Sequence, residues 1–85
     1  MGHFIYIIQS DKDGSFYIGS STDPALRLRK HNAPHKGYTA RKQPWRLVYT
    51  EEFPDKTTAL RRERFLKEQK SRAFLLHLIS SSSAG

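Results

Sequence analysis

Apolar and polar positions follow two different rhythms along this chain. Residues 3–9, His-Phe-Ile-Tyr-Ile-Ile-Gln, are aromatic or β-branched in a run too short for a helix, which predicts a strand. Their nearly continuous apolar character predicts a strand covered on both faces. The polar cluster Ser10-Asp11-Lys12-Asp13-Gly14 reads as a turn, and residues 15–19, Ser-Phe-Tyr-Ile-Gly, as a second strand completing a hairpin. Thr22 or Asp23 then caps a helix with Pro24 in its first turn, running to about Asn32 because Pro34 cannot continue it. Residues 33–44 read as a basic loop and residues 45–50 as a third strand. Pro54-Asp55 opens a helix over about 55–69. Ser71 caps a final one over about 72–79, with Phe74, Leu75, Leu78 and Ile79 as its apolar side. The small polar residues 80–85 are expected to form a disordered tail.

The order β-β-α-β-α-α predicts an α/β (α+β) fold. A small three-stranded antiparallel or mixed sheet flanked by helices is the economical way to bury these stripes. One domain over residues 1–79 accounts for the pattern, and no internal repeat is visible.

At 85 residues the chain has room for one compact core. Ten aromatics set in short runs argue for a packed globule. The absence of cysteine excludes disulfides, thiolate metal sites and cysteine nucleophiles. No secretory leader and no apolar run of bilayer length stand out, so a cytoplasmic location is expected.

Charge changes the picture most. The net charge is +7, and residues 24–50 hold no acid while carrying Arg27, Arg29, Lys30, Lys36, Arg41, Lys42 and Arg46. Such a one-signed stretch attracts polyanions, of which nucleic acid is the commonest.

Three features look chemical. Glu63 falls on the arc of its predicted helix that carries Ala59, Leu60 and Leu66. A carboxylate there is costly unless paired or metal-bound, and a salt bridge to a nearby arginine is the plainer reading. As a metal ligand, a lone carboxylate suits Mg²⁺, which keeps most of its waters. Arg27 and His31, four apart, share a helix face distinct from that of Ala25 and Leu28, and read either as a phosphate clamp or as a solvated face. Tyr6 and Tyr17 lie on the two hairpin strands. Pairing by residues summing to 23 opposes them directly, 25 makes them diagonal neighbours on one face, and 24 separates them. Two core tyrosines is the alternative reading. His31 and His35 lack a third partner for zinc.

Taken together, Ile5-Tyr6, Tyr17-Ile18-Gly19, Arg27 with His31, and Glu63 on a later helix resemble the GIY-YIG nuclease domain, and in particular its small single-domain bacterial members. The resemblance extends through Asn32, Tyr38-Thr39, Leu47-Val48-Tyr49, Glu51-Glu52-Phe53, Arg62-Glu63 and Lys70-Ser71-Arg72, covering roughly residues 3–79. Phe4 stands where the family name has glycine, and a family asparagine near the C-terminus has no evident match.

The resemblance implies a metal-dependent endonuclease hydrolysing DNA phosphodiester bonds, structure-selective or weakly sequence-selective, in repair or recombination. It implies Tyr6, Tyr17, Arg27, His31 and Glu63 as the catalytic set. Glu63 would hold one Mg²⁺ or Mn²⁺, Arg27 would balance phosphoryl charge, and a tyrosine or His31 would take the proton of the attacking water. Lys30, Lys36, Tyr38, Arg41 and Lys42 would grip the DNA backbone, whether branched, nicked or single-stranded. A partner protein would supply targeting, since so small a domain has little surface for reading a long sequence. Two other readings compete: a non-catalytic nucleic-acid-binding module retaining the fold, and an assembly module whose basic face meets an acidic protein.

Overall fold

The computed structural model describes residues 2–83. Strands β1 (His3–Ser10), β2 (Phe16–Ser21) and β3 (Trp45–Phe53) form one sheet in the order β2-β1-β3, antiparallel throughout. Helices α1 (Pro24–Asn32) and α2 (Tyr38–Arg41) lie between β2 and β3, and α3 (Lys56–Gln69) and α4 (Arg72–Ser83) follow. The predicted α+β class and antiparallel sheet are what the structure has. The predicted order gains one element, α2, a single helical turn within the basic loop. Helix α4 runs four residues past its predicted end, because nothing between Ile79 and Ser83 breaks a helix. Residues 84 and 85 of the expected tail lie outside the described residues.

The central strand explains the layering. Ile5 and Ile7 point to one face, where α3 and α4 bring Ala59, Leu66 and Leu75 against them and Ile18. Tyr6 and Ile8 point to the other, where they meet Trp45, Tyr17 and Leu28 of α1. Both faces of β1 are therefore dry, as its unbroken apolar run requires.

A bulge decides which side Trp45 joins. From His3↔Phe53 to Ile7↔Tyr49 the paired numbers of β1 and β3 sum to 56, and from Ile8↔Leu47 to Ser10↔Trp45 they sum to 55. The extra residue in β3, Val48, reverses the alternation beyond it. Without that shift Trp45 would sit on the α3 face. With it, the indole is buried beside Tyr6 and Ile8, and its Nε1–H donates to the Thr39 carbonyl at 2.8 Å, holding α2.

Candidate functional site

Tyr6 is the middle of the arrangement. The β1–β2 register pairs Tyr6 with Gly19 and Ile8 with Tyr17, a sum of 25, so the two tyrosines are diagonal neighbours on one face. The Tyr6 ring lies across Gly19: a Cβ built there would be 2.5 Å from the phenol oxygen and 2.6 Å from Cζ. Glycine at residue 19 is thus a condition for seating that ring.

Helix α1 reaches the same phenol. Asp23 caps it by accepting the Leu26 N–H at 3.1 Å, and Pro24 opens it. Its far end is pinned twice. The Asn32 amide brackets the Trp45 backbone, donating to its carbonyl at 2.9 Å and accepting its N–H at 2.6 Å. The Gln43 amide donates to the carbonyls of His31 and Ala33 at 2.7 and 2.8 Å, satisfying groups that a helix end leaves open.

Held this way, α1 turns Leu28 and His31 to the sheet and leaves Ala25 and Leu26 exposed. The expected separation of an Arg27–His31 face from an Ala25–Leu28 face therefore does not hold. His31 is among the most buried residues of the helix because the Tyr6 hydroxyl offers it a partner. His31 Nε2 shares a 3.0 Å hydrogen bond with that hydroxyl. The His31 ring also lies 4.9 Å from that of Tyr17, which meets Trp45 edge-on.

The electrostatics tie in two further side chains. Burial pushes the Tyr6 phenol above its ordinary pKa, and the Tyr17 phenol and the Glu63 carboxylate push it the same way, while the Arg27 guanidinium opposes them. Burial, then the charges of Arg27 and His35, hold His31 below its ordinary value, so its imidazole is neutral at pH 7. Arg27, Lys30, His31, His35 and Thr39 line a hollow of about 300 Å³ on this side. His35 is fixed in it by hydrogen bonds to the Ala33 carbonyl and the Thr39 hydroxyl, each 2.7 Å.

Glu63 comes from the opposite face of the sheet. Asp55 caps α3 through the Thr58 N–H at 2.8 Å, and Ala59 and Leu66 seat it on the sheet. Glu63 lies between those two residues, its side chain 16% exposed, while Leu60 of the expected apolar arc is largely exposed. Its partner is Lys67, one turn on, at 2.7 Å. The neighbouring arginine, Arg62, pairs with Glu51 instead, at 2.8 Å. Both α1 and α3 touch β2, the edge strand between them.

Of the candidate set, His31 bonds the Tyr6 phenol directly, and the charges of Arg27, Tyr17 and Glu63 bear on its ionisation. Among the described residues no three His, Cys, Asp or Glu side chains cluster as a metal cage. Glu63 offers a single, mostly buried carboxylate paired with the displaceable ammonium of Lys67, a donor set that fits an ion keeping most of its waters.

Of the candidate backbone contacts, Lys30, Lys36, Tyr38 and Arg41 are exposed. Lys42 is not free in the same way. Its ammonium pairs with Asp13, reaches the Ser15 hydroxyl at 3.3 Å and lies 5.2 Å from the Tyr38 ring centroid. The Asp13 partnership raises the lysine's pKa and lowers the aspartate's. Gln43 and Trp45 are positioning residues that the sequence does not single out, and Gly19 and Asn32, part of the family likeness, take positioning roles that the likeness does not specify.

Comparison with known proteins bears on the family and the fold. The family model described as the GIY-YIG catalytic domain matches residues 2–75. The UPF0213 protein SSP2268 of Staphylococcus saprophyticus is 44% identical over 79 residues, covering 92% of this chain and 94% of its own. The structure-specific endonuclease subunit SLX1 of Meyerozyma guilliermondii is 39% identical over 74 residues, but this chain spans only 25% of that subunit's length. A solution NMR structure of the UPF0213 protein BH0048 from Bacillus halodurans superposes with a TM-score of 0.58 at 37% identity, covering 94% of this chain and 84% of that one.

Proposed function

Because the chain belongs to the GIY-YIG catalytic-domain family, we propose that it is a divalent-metal-dependent endonuclease that hydrolyses DNA phosphodiester bonds at structural discontinuities or with weak sequence selectivity. The observation that carries this reading is the convergence on Tyr6: one hydrogen bond to His31, and a phenol whose ionisation feels Arg27, Tyr17 and Glu63 together.

In the proposed mechanism the Glu63 carboxylate holds one Mg²⁺ or Mn²⁺, which when bound polarises the scissile phosphate and stabilises the leaving oxygen. Arg27 balances charge developing on the phosphoryl oxygens. Tyr17, the less buried of the two phenols, accepts the proton of the attacking water as its own hydroxyl proton passes to the neutral imidazole of His31 beside it. Tyr6 is too buried to meet water, at 1% exposed, and acts by orienting His31. Lys30, Lys36, Tyr38 and Arg41 grip the DNA backbone outside the chemistry, and Lys42 joins them to the extent that Asp13 releases it.

Selectivity for structure rather than sequence is supported by the small surface of the domain and by the name of the SLX1 relative. That relative is called a subunit, which supports a partner protein for targeting. A role in DNA repair or recombination follows from the same reading.

The test is incubation of the purified protein with single-stranded, nicked, flapped and branched DNA, with and without Mg²⁺ or Mn²⁺. Metal-dependent products are expected from the wild type and none from Glu63→Gln, which should still bind DNA. Undiminished cutting by Glu63→Gln would remove that carboxylate from the site, and binding without products from any substrate would leave a nucleic-acid-binding module.

A further inference from the structure

A second basic feature lies away from the loop of residues 33–44. Along the open edge of β2, against the end of α3 and the start of α4, runs a groove of about 440 Å³. Ile18, Leu66 and Leu75 are among its apolar lining, Lys67, Lys70 and Arg72 supply its charge, and no acidic residue lines it. A neighbouring hollow shares Lys67 and Lys70 with it and contains Glu63. The groove thus adjoins the hollow that holds the proposed metal-binding carboxylate.

Two of its cations are held in ways that core packing does not require. Lys70 ends α3 with φ 47° and ψ 37°, the left-handed conformation that glycine adopts without penalty and a lysine does not. Its ammonium has no hydrogen bond or ion pair among the described residues. A strained backbone position occupied by an unpartnered charge points to a role for the side chain. Arg72 is fixed from both sides: one Nη donates to the Gly14 carbonyl at 2.8 Å, and the guanidinium lies 4.7 Å from the Phe16 ring centroid. Its remaining N–H groups have no partner among the described residues.

We propose that this groove is a phosphate-binding track for an unpaired nucleic-acid strand, leading to the Glu63 site, with Lys70 and Arg72 as its phosphate contacts. The proposal rests on the nuclease reading and deepens it by naming the form of the substrate. The argument for an unpaired strand is the combination of walls. A duplex presents phosphates and hides the faces of its bases, so it needs charge alone. An unpaired strand presents both, and a groove that is cationic along its rim and apolar along its floor matches both. Such a track on one side of Glu63, with the basic loop on the other, places a junction between paired and unpaired DNA over the site.

The experiment measures binding of a short single-stranded oligonucleotide, and of a blunt duplex of the same length, by fluorescence anisotropy in chelator across a salt series. Lys70→Gly is expected to raise the melting temperature, because the left-handed position no longer bears a side chain. It should also weaken single-strand binding several-fold and flatten the log–log salt slope by about 0.7, one phosphate contact. Duplex binding should be unchanged, and Lys70→Arg should keep the single-strand affinity. Unchanged single-strand affinity and slope in Lys70→Gly would overturn the proposal. So would an equal loss for duplex, or competition by poly-glutamate as effective as by the oligonucleotide, which would point to an acidic protein segment instead. No cleavage is read in chelator, so failure of this track and failure of the nuclease reading are separate results.

Discussion

Replacing Gly19 by alanine tests the geometry at the centre of the site. The added methyl would lie 2.5 Å from the Tyr6 oxygen, 2.6 Å from Cζ and 3.0 Å from Cε1. Tyr6 is 1% exposed and hydrogen-bonded to His31, so its ring cannot swing away cheaply. Overpacking of this kind costs about 1–3 kcal/mol. If the ring moves, the Tyr6–His31 hydrogen bond goes with it, a further loss of about 0.5–1.5 kcal/mol. Reduced freedom of the unfolded chain returns about 0.4–1 kcal/mol. The net expectation is a destabilisation of about 2–3 kcal/mol, which for a domain of this size lowers Tm by on the order of 10–20 °C. Urea denaturation of Gly19→Ala, of Tyr6→Leu and of the double variant measures it as a cycle. Leucine lacks the atoms the methyl would strike, so the alanine should cost at least about 1 kcal/mol less in that background. An alanine variant as stable as the wild type, or a cost identical in both backgrounds, would refute the reasoning.

The other predictions concern chemistry and pH. Arg27→Ala should lower the single-turnover cleavage rate by roughly 10²–10³-fold while DNA affinity changes little, and a loss confined to affinity would show that the arginine merely grips. Tyr17→Phe should slow the chemical step with thermal stability near wild type; unchanged single-turnover rates place the base elsewhere. His31 has a lowered pKa when folded, so the unfolded chain binds the extra proton first as pH falls. Its contribution to stability is therefore full above about pH 6.5 and declines as the pH drops from there toward the folded value. Denaturation midpoints at pH 5 and 7.5 should show this slope in the wild type and a flatter one in His31→Gln. Equal slopes in the two proteins would mean that other groups carry it.

The elements whose signal is local were legible in the sequence. The continuous apolar run of β1, the Asp23-Pro24 start of α1 and the Asp55 cap of α3 each announce themselves within a few residues, and the structure has them there. The family likeness of Tyr6, Tyr17, Arg27, His31 and Glu63 was legible for the same reason. What escaped depends on residues far apart in the chain. The hairpin register stayed open among three sums because alternation fits each of them. The seat that Gly19 provides for the Tyr6 ring belongs to the sum that the structure has. The orientation of α1 was misjudged because helical periodicity assumes an apolar target, whereas its target includes a buried hydroxyl. Helix α2 is a single turn, too short to show a period. Asn32 and Gln43 look like ordinary loop polars until Trp45 and the end of α1 are brought beside them.

The bulge at Val48 has a consequence for how this protein tolerates change. Deleting Val48 outright would leave Trp45 opposite Ser10 and the indole in its layer. A slip that drew Val48 into the ladder, with no residue gained or lost, would instead restore strict alternation at the full length and deliver the indole to the wrong layer of the molecule. Thr39 would lose its anchor, Asn32 would face a displaced backbone, and the helix bearing Arg27 and His31 would come unmoored from the sheet. In this stretch the register matters more than the identity of most side chains.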